Sequence, residues 1–403
     1  MANKVKIYDK IKLFLLFLYL TVFFIYGAHS NTIIYSEIIL VLLMIIEIFQ
    51  VIKLKKIKIN PPIFLLIIFV IWGLLSSVWA IDPNLAIKRF PTMSLLTAFL
   101  ILNYNTFIYN EKFVKSLFKV LMYAGLCFSL YVILYYGISN YVNMILQGTR
   151  IGGEINNVNE IGLTTSITFL IVLFMGSNYN KKYYVFLILP LLVTVGTGSR
   201  TAIIELLLEV IFSILFFNSN NNFTSRLKKV IVLIVGFLVI YKLLELLDLN
   251  FLKERFENMF NYSRGSGHVD NTTIVRMNFI KIGFTTFLEN PLLGIGINNS
   301  GYLTTKIVAG YFTYLHNNYA ELLATTGIIG FILYYYTYFY ILKNCILNLK
   351  NNNKYVYLLL ILCIVLLIGD FGTVSYPLKS TFVYFLCCFV AINYFKKKED
   401  DIK

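Results

Sequence analysis

His316-Asn-Asn-Tyr-Ala-Glu-Leu-Leu-Ala-Thr-Thr-Gly327 runs directly into Ile328-Ile-Gly-Phe-Ile-Leu-Tyr-Tyr-Tyr-Thr-Tyr-Phe-Tyr-Ile-Leu342. A polar opening that carries a histidine leads into the apolar run 320–342, which has the length that spans a bilayer. The same apolar length recurs along the chain. Runs at 11–27, 32–52, 62–80, 87–104, 115–137, 160–176, 183–198, 201–217, 229–247, 320–342, 354–370 and 379–395 predict about twelve transmembrane helices. None of them alternates as the strands of a membrane barrel do. Of the 403 residues, 58% are hydrophobic and only 14% charged, more apolar surface than a soluble fold can hide. The fold class is therefore all-α, a polytopic membrane protein.

The net charge of +15 would fit nucleic acid, but its distribution argues against that partner. With the N-terminus in the cytoplasm and sides alternating, twenty-three of the 35 Lys and Arg residues fall in inner segments, among them Lys112, Lys115, Lys119, Lys181, Lys182 and Lys354. The short outer loops hold five: Lys88, Arg89, Arg150, Arg200 and Lys379. This is the positive-inside bias, and it places both termini in the cytoplasm. The long polar loop at 248–318 then faces outward. The five cysteines show no CxxC spacing, so no disulfide framework or zinc site is indicated. The first apolar run ends in Tyr26-Gly-Ala-His-Ser30, a poor cleavage site, and a second run follows at once, so it is read as a span. No linker separates domains; residues 1–403 are expected to form one integral membrane domain.

Positive charge on the outer side runs against the topological trend and marks the candidate site. After the third run comes Ser77-Val-Trp-Ala-Ile-Asp-Pro83, with Trp79 as an interfacial anchor. Lys88 and Arg89 follow, suited to a lipid headgroup or a ligand phosphate. Arg150 and Asn159 lie in a glycine- and asparagine-rich outer turn, whose plainer reading is a tight turn with an Asn cap opening the next helix. Gly196-Thr-Gly-Ser-Arg-Thr201 places Arg200 at a helix N-terminus, where the dipole favours an anion. Glu205 and Glu209, one turn apart, are costly in a spanning helix unless paired. Glu205 is expected to orient Arg200, and Glu209 has no evident partner. In the long loop, Ile274, Met277, Ile280, Phe284, Phe287 and Leu288 form a helical apolar stripe. Arg276 and Lys281 make that helix one that lies along the membrane surface. Pro291 stops it, Gly294 and Gly296 shape a turn, and His316 and Glu321 stand at the outer end of the tenth run. His268 is read as an ordinary loop residue.

The sequence lacks a P-loop, an Asp-x-Asp pair and a metal-ligand cluster, so no metal or cofactor is expected. On the outer face there is no ATP, and a substrate must arrive activated. A polyprenyl-diphosphate-linked sugar does, since its diphosphate is both anchor and leaving group. Such chemistry needs guanidinium groups to hold the diphosphate as charge builds, and a base for the acceptor hydroxyl. Arg200, Arg276 and His316 are those parts.

At these residues the chain resembles the O-antigen ligase and O-antigen polymerase superfamily. The carriers are Gly196-Thr-Gly-Ser-Arg-Thr-Ala202, Arg276 with Asn290-Pro-Leu-Leu-Gly-Ile-Gly296, and His316 through Gly327. The resemblance implies a glycosyltransferase fold of the C type in a bacterial cytoplasmic membrane. It implies metal-independent, inverting transfer of glycan from undecaprenyl diphosphate to an acceptor hydroxyl, in lipopolysaccharide, capsule or other surface polysaccharide synthesis. Arg200 and Arg276 would hold the diphosphate and His316 would act as or near the base. Lys88, Arg89, Arg150, Asn159, Gly294, Gly296 and Glu321 are further substrate-binding candidates. Ligase and polymerase are not separated by these motifs. The alternative from another class is a flippase for lipid-linked oligosaccharides, against which stand the gathering of polar groups on one side and the lack of a repeat.

Overall fold

In the computed structural model, residues 7–27, 29, 31–108, 112–217, 257–258, 261–262, 264–265, 267, 269–351 and 353–400 are described. The ninth predicted run (229–247) and His268 lie outside them. Every other apolar run is helical. The helices are α1 (Ile7–Tyr26), α2 (Ile33–Leu54), α3 (Pro61–Leu75), α4 (Pro83–Phe107) and α5 (Lys112–Tyr136). Next come α6 (Ile138–Leu146), α7 (Val158–Asn178), α8 (Ile188–Gly196) and α9 (Arg200–Phe216). The last are α10 (Asn271–Glu289), α11 (Gly301–Ile307), α12 (Asn318–Leu347), α13 (Lys354–Gly369) and α14 (Lys379–Asp400). No strand occurs among the described residues. Among the described residues, five segments are long and apolar enough to cross a membrane: Pro61–Val78, Pro83–Phe107, Lys112–Tyr136, Val158–Asn178 and Asn318–Leu347.

Helix starts follow ordinary capping chemistry. Asn60 accepts a hydrogen bond from the N–H of Ile63 ahead of Pro61, and Asp82 accepts from Asn84 N–H ahead of Pro83. Asp270 caps α10 by accepting from Thr273 N–H at 2.5 Å.

Two runs that read as continuous helices are not. The seventh begins as a 3-10 turn, Lys181–Leu187, and becomes α-helical only at Ile188. Pro190 falls in the first turn of α8, where its missing N–H has no intrahelical acceptor to lose, so the α-helix begins just ahead of it. The tenth run, within α12, breaks at Gly327, whose φ of 64° and ψ of −171° are non-helical. The sequence reading also missed α6 and α11, too short to show an apolar run.

Packing divides the chain into two compact units, each assembled from three stretches. The first takes residues 1–46, 115–257 and 348–366. Its centre is α7, 83% buried over its apolar window, against which α8 and α9 pack. Thr165 and Thr194 share a hydroxyl hydrogen bond of 2.7 Å there, and a side chain at Gly162 would strike Ala202. The second unit takes residues 47–114, 258–347 and 367–403. In it α3 lies against α4 and α12, and Phe69 of α3 meets the rings of Tyr334 and Tyr376 at 5.6 and 6.3 Å.

Candidate active site

In the second unit, the Asn290–Gly296 loop is docked onto the break in α12. At Gly327 the helix leaves backbone groups without intrahelical partners, a cost of several kcal/mol each in an apolar setting. The loop and α3 supply partners. Ile295 N–H donates to Ala324 O at 2.9 Å, Ile328 N–H to Pro291 O at 2.8 Å, and Trp72 Nε1 to Thr326 O at 3.0 Å. The approach is so close that a Cβ at Gly294 would meet the Thr325 backbone and one at Gly327 would overlap the Leu292 carbonyl. Both glycines also sit at positive φ. Gly296, offered above as substrate-binding, packs its backbone against Ala80. These glycines thus build the loop, which separates them from the side chains that could meet a ligand.

Trp79 is more than an interfacial anchor: its Nε1 donates to Leu293 O at 3.2 Å, and its ring lies 5.3 Å from that of Trp72. Beneath the loop, Phe279, Ile295, Leu303, Leu315, Ala320 and Ala324 form one apolar cluster. It joins α10, α11 and the first half of α12. The buried face of α10 is not the predicted stripe: it is made by Thr273, Phe279, Gly283 and Thr286, while of the stripe Ile280 packs against the cluster and Ile274, Phe284 and Leu288 are exposed.

The segment from His316 to Glu321 divides its labour residue by residue. Glu321 is buried and accepts from Ser300 Oγ at 2.7 Å and from Leu315 N–H at 3.0 Å, closing the turn ahead of the histidine. Asn317 Oδ1 caps the helix by accepting from Ala320 N–H at 2.9 Å. Asn318 is a clamp: its N–H donates to Asp370 O at 2.8 Å, while its Oδ1 accepts from Ser375 and Tyr376 N–H. Its Nδ2 reaches Tyr335 Oη and Asp370 Oδ2. His316 itself has φ of 55°, unusual without being forbidden for histidine. Its ring lies parallel to Phe279 at 6.4 Å and 4.4 Å from Tyr314. Nδ1 is buried and has no hydrogen-bond partner among the described residues. Burial, and secondly the charge of Arg276, push its pKa down from 6.5 to about 4. The imidazole is therefore neutral at physiological pH.

Lys88 and Arg89 part company. Lys88 is exposed. Arg89 turns inward, donating from Nη2 to Asn298 Oδ1 at 2.7 Å and lying 5.9 Å from the Tyr376 ring centroid. It also interacts electrostatically with Glu321. Asn298, at φ of 65°, is fixed in turn by donating to Leu85 O. Sequence reasoning overlooked Asn298, Asn318 and Asp370. The last was findable, as a carboxylate at the end of an apolar run is flagged by the rule that flagged Glu205.

The first unit gathers Arg150, Asn159 and Arg200 around the Gly196–Thr201 turn. Arg150 Nε donates to Thr197 O at 3.0 Å. Ser199 caps α9, accepting from Ala202 N–H at 3.5 Å and donating to Asn159 Oδ1 at 2.9 Å. Thr197 Oγ1 donates to Thr194 O at 2.7 Å. These hydroxyls are engaged in holding the turn. Arg200, half-buried, opens α9. Glu205 accepts from Ser166 Oγ at 3.0 Å. Glu209 is buried, and neither of its oxygens has a hydrogen-bond partner among the described residues. Also among the described residues, no three His, Cys, Asp or Glu side chains gather to hold a metal.

Residues 185–335 match the family model of the O-antigen ligase. Over that stretch the chain is similar to an O-antigen ligase domain. The match supports the resemblance to the O-antigen ligase and polymerase superfamily drawn from short motifs, and the long apolar helices fit a membrane protein. The matched stretch runs from the turn before α8 into the second half of α12. It takes in Arg200, Arg276, Gly294, Gly296, His316, Glu321 and the helix break, and leaves out Lys88, Arg89, Arg150 and Asn159. A comparison with curated proteins finds no match.

Proposed function

We propose that the protein is a membrane glycosyltransferase of the ligase or polymerase type. It transfers glycan from undecaprenyl diphosphate to an acceptor hydroxyl on the outer face of a bacterial cytoplasmic membrane. The observation that carries this reading is a neutral, partly buried imidazole under the influence of an arginine, inside the stretch similar to an O-antigen ligase domain.

The acceptor oxygen forms a bond to the anomeric carbon as the bond from that carbon to the diphosphate oxygen breaks, which inverts the centre. Arg200 and Arg276 each stabilise charge on the departing diphosphate, and His316 takes the acceptor proton. A pKa near 4 makes the free imidazole a weak base. A diphosphate held by Arg276 offsets one of the two causes of that low value, so the histidine becomes more basic when the donor is bound. The loop at 248–318 contributes to the site, with the exposed Ile274, Phe284 and Leu288 of α10 resting on the membrane surface. The full set of about twelve spans and the cytoplasmic termini complete this reading.

The test is transfer by purified protein in detergent, supplied with lipid-linked repeat units and no nucleotide or metal. Glycan transfer supports the proposal; its absence, with donor and acceptor verified, refutes it. Deletion of the gene sorts the type: single repeats left on the carrier mean polymerase, and long chains stranded there mean ligase.

A further inference from the structure

In the first unit, at the end opposite in sequence logic to the arginines, two lysines converge on one ring. Lys115 Nζ and Lys354 Nζ each lie 3.7 Å from the centroid of Tyr179. The ammonium groups are therefore no more than twice that distance apart. Lys115 is in the first turn of α5 and Lys354 is the first residue of α13. Both positions oppose the helix dipole, which favours anions at an N-terminus. Among the described residues neither ammonium pairs with a carboxylate, and the sequence stretches 115–136, 177–187 and 353–366 contain no Asp or Glu. Lys119, Lys181 and Lys182 add charge of the same sign nearby in the chain.

The floor beneath is rigid and aromatic. Tyr179 Oη and Tyr355 Oη share a hydrogen bond of 2.5 Å, and Tyr355 packs against Phe118 at 6.0 Å and Phe174 at 5.4 Å. An arrangement that fixes two like charges on one ring, with no counter-charge among the described residues, is suited to an external anion. These lysines belong to the segments the charge distribution assigns to the cytoplasmic side, where the available anion is a lipid phosphate. An aromatic and lysine pairing at helix ends is also suited to headgroup depth.

We infer that Lys115, Lys354 and Tyr179 form a site for the phosphate of an anionic phospholipid of the inner leaflet. The site is separate from the chemistry proposed above and does not depend on it. The test uses the full-length protein in phosphatidylcholine bilayers with and without phosphatidylglycerol, reading the phosphatidylglycerol retained on extraction and the shift in Tm. Each lysine near an anionic surface gives about a fivefold gain in affinity, so Lys115→Gln with Lys354→Gln should lose roughly thirtyfold. Lys115→Arg with Lys354→Arg should keep the lipid, and Lys181→Gln with Lys182→Gln should change it little. If the double glutamine variant does not survive purification, Lys354→Gln alone should show about a fivefold loss. Retention unchanged by the glutamine variants, or lost equally on changing Lys181 and Lys182, overturns the site. A Tm shift reproduced by inorganic phosphate, with displacement of phosphatidylglycerol, overturns the lipid as its ligand.

Discussion

At the scale of single residues, His316 combines a positive φ, an unpartnered Nδ1 and a depressed pKa. Its folded pKa lies below the value of the unfolded chain, so between about 6.5 and about 4 the unfolded state binds more protons. Stability attributable to this group should therefore be intact above 6.5 and fall as the pH drops toward 4. Comparing Tm against pH for the wild type and His316→Gln isolates the effect, because the other histidines cancel. Parallel curves would mean that the ring is not held neutral by the fold. For the arginines, Arg200→Ala and Arg276→Ala should each lower transfer by about 10²-fold or more, by analogy with loss of an oxyanion donor. Lysine should rescue poorly, lacking the planar fork that grips phosphate at two points. Near-normal yield and product length from both alanine variants would remove the diphosphate assignment. These three residues were visible as candidates, because the sequence holds few Arg and only three His. Asn298 and Asn318 were not, since asparagine recurs throughout this chain and their partners lie far away in sequence.

The decisive element is the interrupted α12. Gly327→Ala would place a Cβ into the Leu292 carbonyl at a backbone conformation that L side chains resist, which alone costs about 1–3 kcal/mol. We expect loss of folded protein on size-exclusion chromatography, whereas Gly153→Ala, whose Cβ would meet Val158 Cγ2 at an ordinary contact distance of 4.0 Å, should be tolerated. Equal behaviour of the two would argue against the break. Trp72→Phe strips the donor from Thr326 O and should destabilise by about 1–3 kcal/mol, read as a lower Tm. The sequence showed Gly327 as the last residue of a motif, inside the run 320–342 that reads as one span. That the motif ends because the helix does could not be read from hydropathy, which averages over single residues. Pro190 alone did not reveal the change to a 3-10 turn either, since Pro91 lies inside another apolar run and α4 passes through it.

For the whole molecule, the charge distribution makes a test of sidedness possible. In a cysteine-free background, Thr149→Cys and Leu292→Cys should react with a membrane-impermeant maleimide on intact cells. Lys181→Cys and Lys350→Cys should react only after permeabilisation, all four positions being exposed in the fold. The reverse pattern would invert the topology and move the arginines to the nucleotide-containing side. Helical class was plain in the sequence, because apolar runs of spanning length leave a chain few alternatives in a bilayer. The division into two units, each stitched from three separate stretches, was not. It depends on pairings between helices distant in sequence, which periodicity does not encode.

The chain has two tryptophans, and both donate their indole hydrogens to the backbone around the break, at Thr326 and Leu293. The protein therefore carries a built-in optical reporter with no background from elsewhere in the chain. Excited near 295 nm, its emission comes from the ground beside the Asn290–Gly296 loop alone. Movement of that loop would register as a change in colour or quenching before any product is counted.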